Sequence, residues 1–149
     1  MNPDQIQRVR ASFALVAPIA PTAASLFYAH LFEADPGLRK LFRGDMTAQG
    51  AKLMQMIGAA VGLLDRPDSL LPVLRQLGAR HGGYGVVPVH YELVGAALLK
   101  TLAQGLGDAF DEPTREAWTA MYGLVAGTMI EAARLQGHEA ERLAAVQPA

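Results

Sequence analysis

Apolar positions recur along this chain at the three- and four-residue steps of helices, and no alternating strand pattern of substance interrupts them. Ile6, Val9, Phe13 and Val16 define one face of a first helix from about Asp4 to Ala17, which Pro18 and Pro21 end. Thr22 is placed to cap a second helix reaching about Glu33, with Ala24, Phe27, Tyr28 and Leu31 on one face. Asp35-Pro36-Gly37 reads as a turn, Leu38 to Phe42 as a short helical piece and Arg43-Gly44-Asp45 as a loop. The stripe Gln49, Leu53, Met56, Ile57, Ala60, Val61 and Leu64 then predicts a helix from about Thr47 to Leu64.

The next helix starts near Asp68-Ser69, and Leu70, Leu74, Leu77 and His81 follow along one face. Gly82-Gly83-Tyr84-Gly85 stops it, because glycine tolerates the backbone angles of a helix end. Pro88 opens a long helix to about Leu106, faced by Tyr91, Val94, Leu98 and Leu102, and Gly107-Asp108 breaks it. A last helix runs from about Glu112-Pro113 to Gln136, lined by Trp118, Tyr122, Val125, Met129 and Ala132; the tail beyond Gly137 either extends it or frays. The expectation is one all-α domain over residues 1–149, with seven or so helices and mostly short connections.

At 149 residues the chain can bury roughly two-thirds of its unfolded surface without staples. Hydrophobic residues make up 51% and charged ones 18%, which leaves room for a buried non-peptide group beside a core. Thirteen basic and fourteen acidic residues, spread without a basic stripe, argue against a nucleic-acid partner. The absence of cysteine removes disulfides, thiolate catalysis, cysteine-zinc sites, iron–sulfur clusters and covalent haem attachment. The start MNPDQIQRVR carries Asp4 and no apolar run, so a secretory signal is not expected, and no segment reads as an uninterrupted bilayer span. A cytoplasmic protein with no membrane partner is the expectation.

Of the four histidines, His81 alone ends an apolar helical face, one residue before a glycine break. A core histidine with a hydrogen-bond partner accounts for it; so does a metal ligand, because neutral imidazole is a good iron donor. No His, Asp or Glu lies three or four residues away, which counts against a multi-ligand zinc or iron site built locally. Haem needs one protein ligand, since the porphyrin nitrogens supply four, so a lone histidine suits haem better than other metal chemistry. His90 faces solvent or caps its turn, His30 points away from the Tyr28 face, and His138 is in the tail. Tyr28 and Gln49 are the polar members of apolar faces, at a core edge and in a first turn, and either serve there or supply hydrogen bonds inside a pocket. Phe42 reads as core and Lys52 as surface, each with a pocket role open. No nucleophile elbow or glycine-rich phosphate loop is present.

The combined pattern resembles the globins, specifically the bacterial single-domain haemoglobins and the haem domain of flavohaemoglobins. The resemblance runs from about Ile6 to Arg134. It is carried by Leu26-Phe27-Tyr28 with Leu31-Phe32 and Pro36, by Leu41-Phe42, and by Gln49-Gly50-Ala51-Lys52-Leu53. His81 with Gly85-Val86, His90-Tyr91 with Val94-Gly95, and Ala117-Trp118 with Tyr122-Gly123 complete it. It implies a globin fold around non-covalent haem b (iron protoporphyrin IX), with His81 as the iron ligand. Phe42 matches the phenylalanine against the haem plane, and Tyr28 and Gln49 match the distal hydrogen-bonding and catalytic pair. Leu53 matches the apolar residue one turn on, Leu77, Val94 and Tyr122 match wall positions, and Tyr91 matches a proximal tyrosine. Lys52 is placed to pair with a haem propionate or to stay on the surface.

The function implied is reversible binding of oxygen, nitric oxide and carbon monoxide, for oxygen transport or storage, or conversion of nitric oxide to nitrate in nitric oxide detoxification. The chain's length leaves no room for flavin and nicotinamide domains, so turnover calls for a separate reductase. A haem-based gas or redox sensor acting through a partner protein is the alternative, and the protein is expected as a monomer or homodimer. One departure stands out. Flavohaemoglobins have a glutamate in the last helix that bonds the ligand histidine together with the proximal tyrosine; the matching position here is Ala133, and Glu131 points to another face. Its absence counts against peroxidase-like activation of oxygen and leaves a backbone carbonyl to hold the histidine.

Overall fold

A computed structural model describes residues 1–83 and 85–146, with side chains as far as His138. Tyr84, in the expected glycine-rich stop, lies outside the described residues, as does the end of the tail. Six helices follow one another: α1 Pro3–Val16, α2 Ala20–Ala34, α3 Met46–Gly62, α4 Pro67–Gly83, α5 Pro88–Leu106 and α6 Glu112–Val146. Short 3-10 segments cover Ala17–Ile19, Pro36–Leu41 and Gly107–Ala109, and no strand occurs among the described residues. The all-α expectation holds, and the fifth helix has the bounds its flanking Pro88 and Gly107 predict.

The first two helices end where expected, to within a residue, and differ only in how they are joined. Pro18 and Pro21 each fall in the first turn of a helical segment, where a missing N–H costs nothing, so neither breaks the chain's path. Thr22 is therefore no cap; the cap position is Ile19, which makes no side-chain hydrogen bond. The run Pro3–Ala34 includes an 18-residue window of mean hydropathy 1.4, long and apolar enough by composition to cross a membrane, with a third of that window buried inside the protein. By length and composition this run departs from the expectation of no such segment, because the helical path continues through Pro18 and Pro21.

Local signals place the other boundaries. Asp35 accepts from the Gly37 N–H at 3.0 Å and opens the Pro36–Leu41 segment. Asp45 accepts from the Thr47 N–H at 2.9 Å and starts α3. On α3, Met56 is 38% exposed, while Met54 packs against the core beside Ile57, Ala60 and Val61. The apolar stripe bends toward α1 and α2, which cover that side of the helix. Beyond Gln136 the tail continues as helix to Val146.

Two apolar clusters form the interior. The larger holds Val9, Val16, Leu70, Leu74, Tyr91, Trp118 and Met129. The smaller holds Phe27, Tyr28, Leu31, Leu38 and Ala97. Trp118 is 1% exposed, and its indole N–H donates to the Ser12 hydroxyl at 2.7 Å, tying α6 to α1. Ser12 in turn donates to the Arg8 or Val9 carbonyl, so this buried polar pair is satisfied. Arg10 pairs with Asp65 at 2.8 Å and also donates to the Val61 and Gly62 carbonyls, fastening α1 to the end of α3.

Candidate functional site

His81 occupies the last turn of α4, half-buried. Its Nδ1 lies 2.7 Å from the Leu77 carbonyl, one turn back. A carbonyl only accepts, so Nδ1 carries the proton and the lone pair of the neutral ring sits on Nε2. The last turn is closed by backbone bonds from Val86 N–H to the His81 carbonyl at 3.1 Å and from Gly85 N–H to the Gly82 carbonyl at 3.2 Å. Gly85 has φ of 86°, a conformation that favours glycine, which is how the glycine-rich stop ends the helix immediately after the histidine. The backbone carbonyl expected to hold the ring is thus Leu77's.

The remaining site residues fall into two groups. Tyr28, Phe42, Leu53 and Val94 come together in the smaller cluster. There the Tyr28 and Phe42 rings meet edge to face at 5.3 Å, and Phe32 stacks on Tyr28 at 5.9 Å. Leu77, Tyr91 and Tyr122 lie in the larger cluster with Leu70, Leu74 and Met129. Leu98 packs against both clusters. Gln49 turns its amide to the loop before α3, donating to the Arg43 carbonyl at 3.1 Å, and Lys52 is exposed on α3. Burial raises the Tyr28 hydroxyl's pKa above the usual tyrosine value.

The larger cluster contains two contrasting hydroxyls. Tyr122 donates to the Tyr91 main-chain carbonyl at 2.5 Å. Its ring lies where a Cβ on Gly95 would come within 2.7 Å, so Gly95 is what lets it lie flat on α5. Burial, then the neighbouring Tyr91, pushes the Tyr122 hydroxyl far above the ordinary tyrosine range. The Tyr91 hydroxyl is buried and has no hydrogen-bond partner among the described residues, and burial raises its pKa as well. Among the described residues no carboxylate bonds it: Ala133 faces Gly82, and Glu131 is an exposed partner of Arg134.

The other histidines are engaged at the surface. His30 Nε2 meets the Gln104 side-chain oxygen at 2.9 Å. His90 Nδ1 accepts from the Val87 N–H at 3.1 Å, capping α5. His138 approaches Arg134 at 3.4 Å. Among the described residues no three His, Cys, Asp or Glu side chains gather as a metal site. A groove of about 990 Å³ runs between α1, α2 and α3, lined by Phe13, Ala24, Phe32, Gly50 and Met54. Of the residues expected at the site it touches only Tyr28, so it is a separate feature.

Sequence reasoning missed the glycines that set the helix spacings. A Cβ on Gly78 would lie 2.3 Å from the Met129 carbonyl oxygen, and one on Gly82 3.0 Å from the Ala133 Cβ. The signal was available in part: Gly78 and Gly82 stand one turn apart, on one side of α4, on either side of His81 in sequence. As a donor set, one half-buried imidazole whose Nδ1 proton is held by the Leu77 carbonyl, on a helix whose Leu77 packs against the larger apolar cluster, suits a flat apolar group that brings its own metal and four donor atoms.

Comparison with known proteins identifies the family and the fold. The family model for globins matches residues 25–129. The flavohaemoprotein of Vibrio cholerae is 29% identical over 136 residues, covering 88% of this chain and 34% of that protein. That of Deinococcus radiodurans is 32% identical over 133 residues, covering 87% and 33%. The chain therefore spans about a third of the length of these curated relatives. Among solved structures, a bacterial globin from Campylobacter jejuni superposes with a TM-score of 0.78 at 25% identity, covering 89% of this chain and 96% of that one. An engineered carbene transferase, made from a candidate nitric oxide dioxygenase of Rhodothermus marinus, superposes with a TM-score of 0.81 at 26% identity, covering 97% and 99%.

Proposed function

The chain belongs to the globin family, and from that premise we propose that it holds haem b non-covalently on His81 and binds oxygen, nitric oxide and carbon monoxide reversibly. The observation that carries this reading is the His81 to Leu77 hydrogen bond of 2.7 Å. It fixes the tautomer and orientation of the imidazole, which is what a metal-ligating histidine requires of its other nitrogen.

Haem supplies, when bound, an iron with a coordination position for a diatomic gas. Everything else falls to this chain's side chains. His81 would offer Nε2 to the metal. Leu77, Tyr91 and Tyr122 on one side, and Phe42, Leu53 and Val94 on the other, would exclude water from the ring's faces. Lys52, exposed on α3, is the cation offered to a carboxylate of the group. Tyr28 would donate its hydroxyl proton in a hydrogen bond to the bound gas; its raised pKa keeps that proton in place at every physiological pH. Gln49 would be a second donor, with one of its two amide N–H groups already given to the Arg43 carbonyl.

Conversion of nitric oxide to nitrate is the turnover we assign to this site. One nitrate forms from one nitric oxide, one oxygen molecule and one electron, and the electron must come from a reductase. The likeness to flavohaemoproteins three times the chain's length, and to a candidate nitric oxide dioxygenase, supports this assignment.

The test is an absorption spectrum of the protein reconstituted with haem, with and without His81→Ala. Wild type is expected to give a Soret band with distinct ferrous, oxy and carbonyl forms. His81→Ala is expected to lose stoichiometric haem or to hold it loosely, with recovery on adding imidazole. A variant with the wild-type spectrum and no need of imidazole would remove His81 as the ligand.

A further inference from the structure

We infer that Gly78 and Gly82 are positioning residues, which set the ligand geometry of His81 by letting α4 lie directly on the backbone of α6. This inference rests on the haem reading above and extends it to residues that touch neither haem nor gas.

The seam is defined by two contacts one turn apart on each helix. At Gly78, the position of a Cβ is 2.3 Å from the Met129 carbonyl oxygen and 2.5 Å from its Cα, so backbone meets backbone. At Gly82, a Cβ would stand 3.0 Å from the Ala133 Cβ and 3.6 Å from its Cα. Pair for pair the contact advances four residues on both helices, Gly78 to Gly82 and Met129 to Ala133, which fixes the register as well as the separation. His81 lies between the two glycines in sequence. Its ring is held by its own helix through Leu77, so the ring's place is wherever the seam puts the last turn of α4.

Two further observations fit. Ala133 occupies the space beside Gly82 with a methyl group, so α6 presents no hydrogen-bonding side chain at that contact. The buried Tyr91 hydroxyl has no partner among the described residues, in the same cluster that contains Met129 and Leu77. Small residues here thus bring the helices together, and the Leu77 carbonyl holds the imidazole's Nδ1 from within α4. A Cβ at position 78 would force the helices apart by about 1 Å to reach ordinary contact. One at position 82 requires a few tenths of an ångström. Shifts of this size exceed or approach the tolerance of a preorganised ligand, roughly 0.5 Å.

The experiment uses the full chain loaded with haem. Gly78→Ala, Gly82→Ala and the pair Gly82→Ala with Ala133→Gly are compared by the iron–histidine stretching band of the ferrous protein, by the rate of haem transfer to a scavenger, and by Tm. Gly82→Ala is expected to shift the band and to speed haem loss on the order of tenfold, the size seen when an outer partner of a metal ligand is disturbed. Gly78→Ala is expected to do more. Ala133→Gly should return the band and the haem loss of Gly82→Ala toward wild type, because it removes the methyl that the new one strikes. If Gly78→Ala fails to fold, the Gly82 and Ala133 pair decides alone. A lowered Tm with an unmoved band and unchanged haem loss would overturn the inference and leave the haem reading intact, as would a shifted band that Ala133→Gly does not restore. A wild-type protein that takes up no haem overturns both.

Discussion

The two tyrosines of the larger cluster, Tyr91 and Tyr122, invite the same substitution with opposite results. Tyr91→Phe deletes a buried hydroxyl that has no partner among the described residues. Tyr122→Phe deletes one that donates to the Tyr91 carbonyl at 2.5 Å. An unsatisfied buried hydroxyl costs about 1–3 kcal/mol relative to leaving it in water, and that penalty disappears with the oxygen. Tyr91→Phe should therefore leave stability unchanged or raise it by about 1 kcal/mol or more. A typical intramolecular hydrogen bond contributes about 0.5–1.5 kcal/mol net, and Tyr122→Phe should lose that amount. The lower half of that range is expected, because the Tyr91 carbonyl lies inside α5, where the helix ladder also serves it. In a domain of this size each kcal/mol moves Tm by roughly 2–4 °C. The assay is thermal unfolding of both variants, loaded with haem at the same excess. A Tyr91→Phe midpoint at or above wild type, with Tyr122→Phe a few degrees below, is the expected pattern. A Tyr91→Phe protein that falls as far as Tyr122→Phe would refute the reasoning, since its hydroxyl would then be bonded in the native protein.

Tyr28→Phe should raise the oxygen dissociation rate constant about tenfold to hundredfold, the equivalent of the roughly 1.5–3 kcal/mol of a charge-assisted hydrogen bond. Carbon monoxide, less polar when bound, should respond less, and equal changes for the two gases in stopped-flow measurements would leave Tyr28 a packing role only. Alkaline pH should destabilise the fold: burial raises the pKa of Tyr28, Tyr91 and Tyr122, so above about pH 10 the unfolded chain loses these protons first. The stability they contribute is whole below pH 10 and declines as pH rises through the folded values, at up to about 1.4 kcal/mol per pH unit for each tyrosine. Urea midpoints taken from pH 8 to strongly alkaline solution check this, and a profile flat through that range would sink it.

The helices were legible where punctuation and periodicity agree. Pro88 and Gly107 bound α5 because one supplies a pre-set first turn and the other, at φ 55°, ends the helix. The ladder of Leu70, Leu74, Leu77 and His81 placed the histidine on the right face of α4, and the bond to Leu77 follows from the same one-turn spacing. Pro18 and Pro21 misled because the residue that ends one helix is also tolerated in the first turn of the next, and only the path of the chain decides. Met56 misled because a stripe read from one helix cannot show which side its neighbours cover. The direction of the Gln49 amide was beyond sequence for a related reason. The Arg43 carbonyl competes for it from a loop whose conformation no periodicity describes.

The α4 and α6 seam shows why a site can be readable while its tuning is not. His81 is identified by its own helix, within eleven residues of Leu70. What distinguishes its surroundings from the relatives' pattern lies some fifty residues away, at Met129 and Ala133, and depends on backbone contact rather than side-chain chemistry. The alanine at 133 looks in sequence like the loss of one glutamate. In the fold it has three linked correlates: a methyl packed on Gly82, a Tyr91 hydroxyl with no partner among the described residues, and a ligand imidazole oriented by a neutral carbonyl. A carboxylate at that place would bring a charge into an apolar cluster and would need both the tyrosine and the imidazole to hold it. With alanine, that desolvation cost vanishes together with the electron push a carboxylate gives the iron through the ring. On the haem reading proposed above, a histidine without that carboxylate would suit reversible gas binding better than cleavage of bound oxygen.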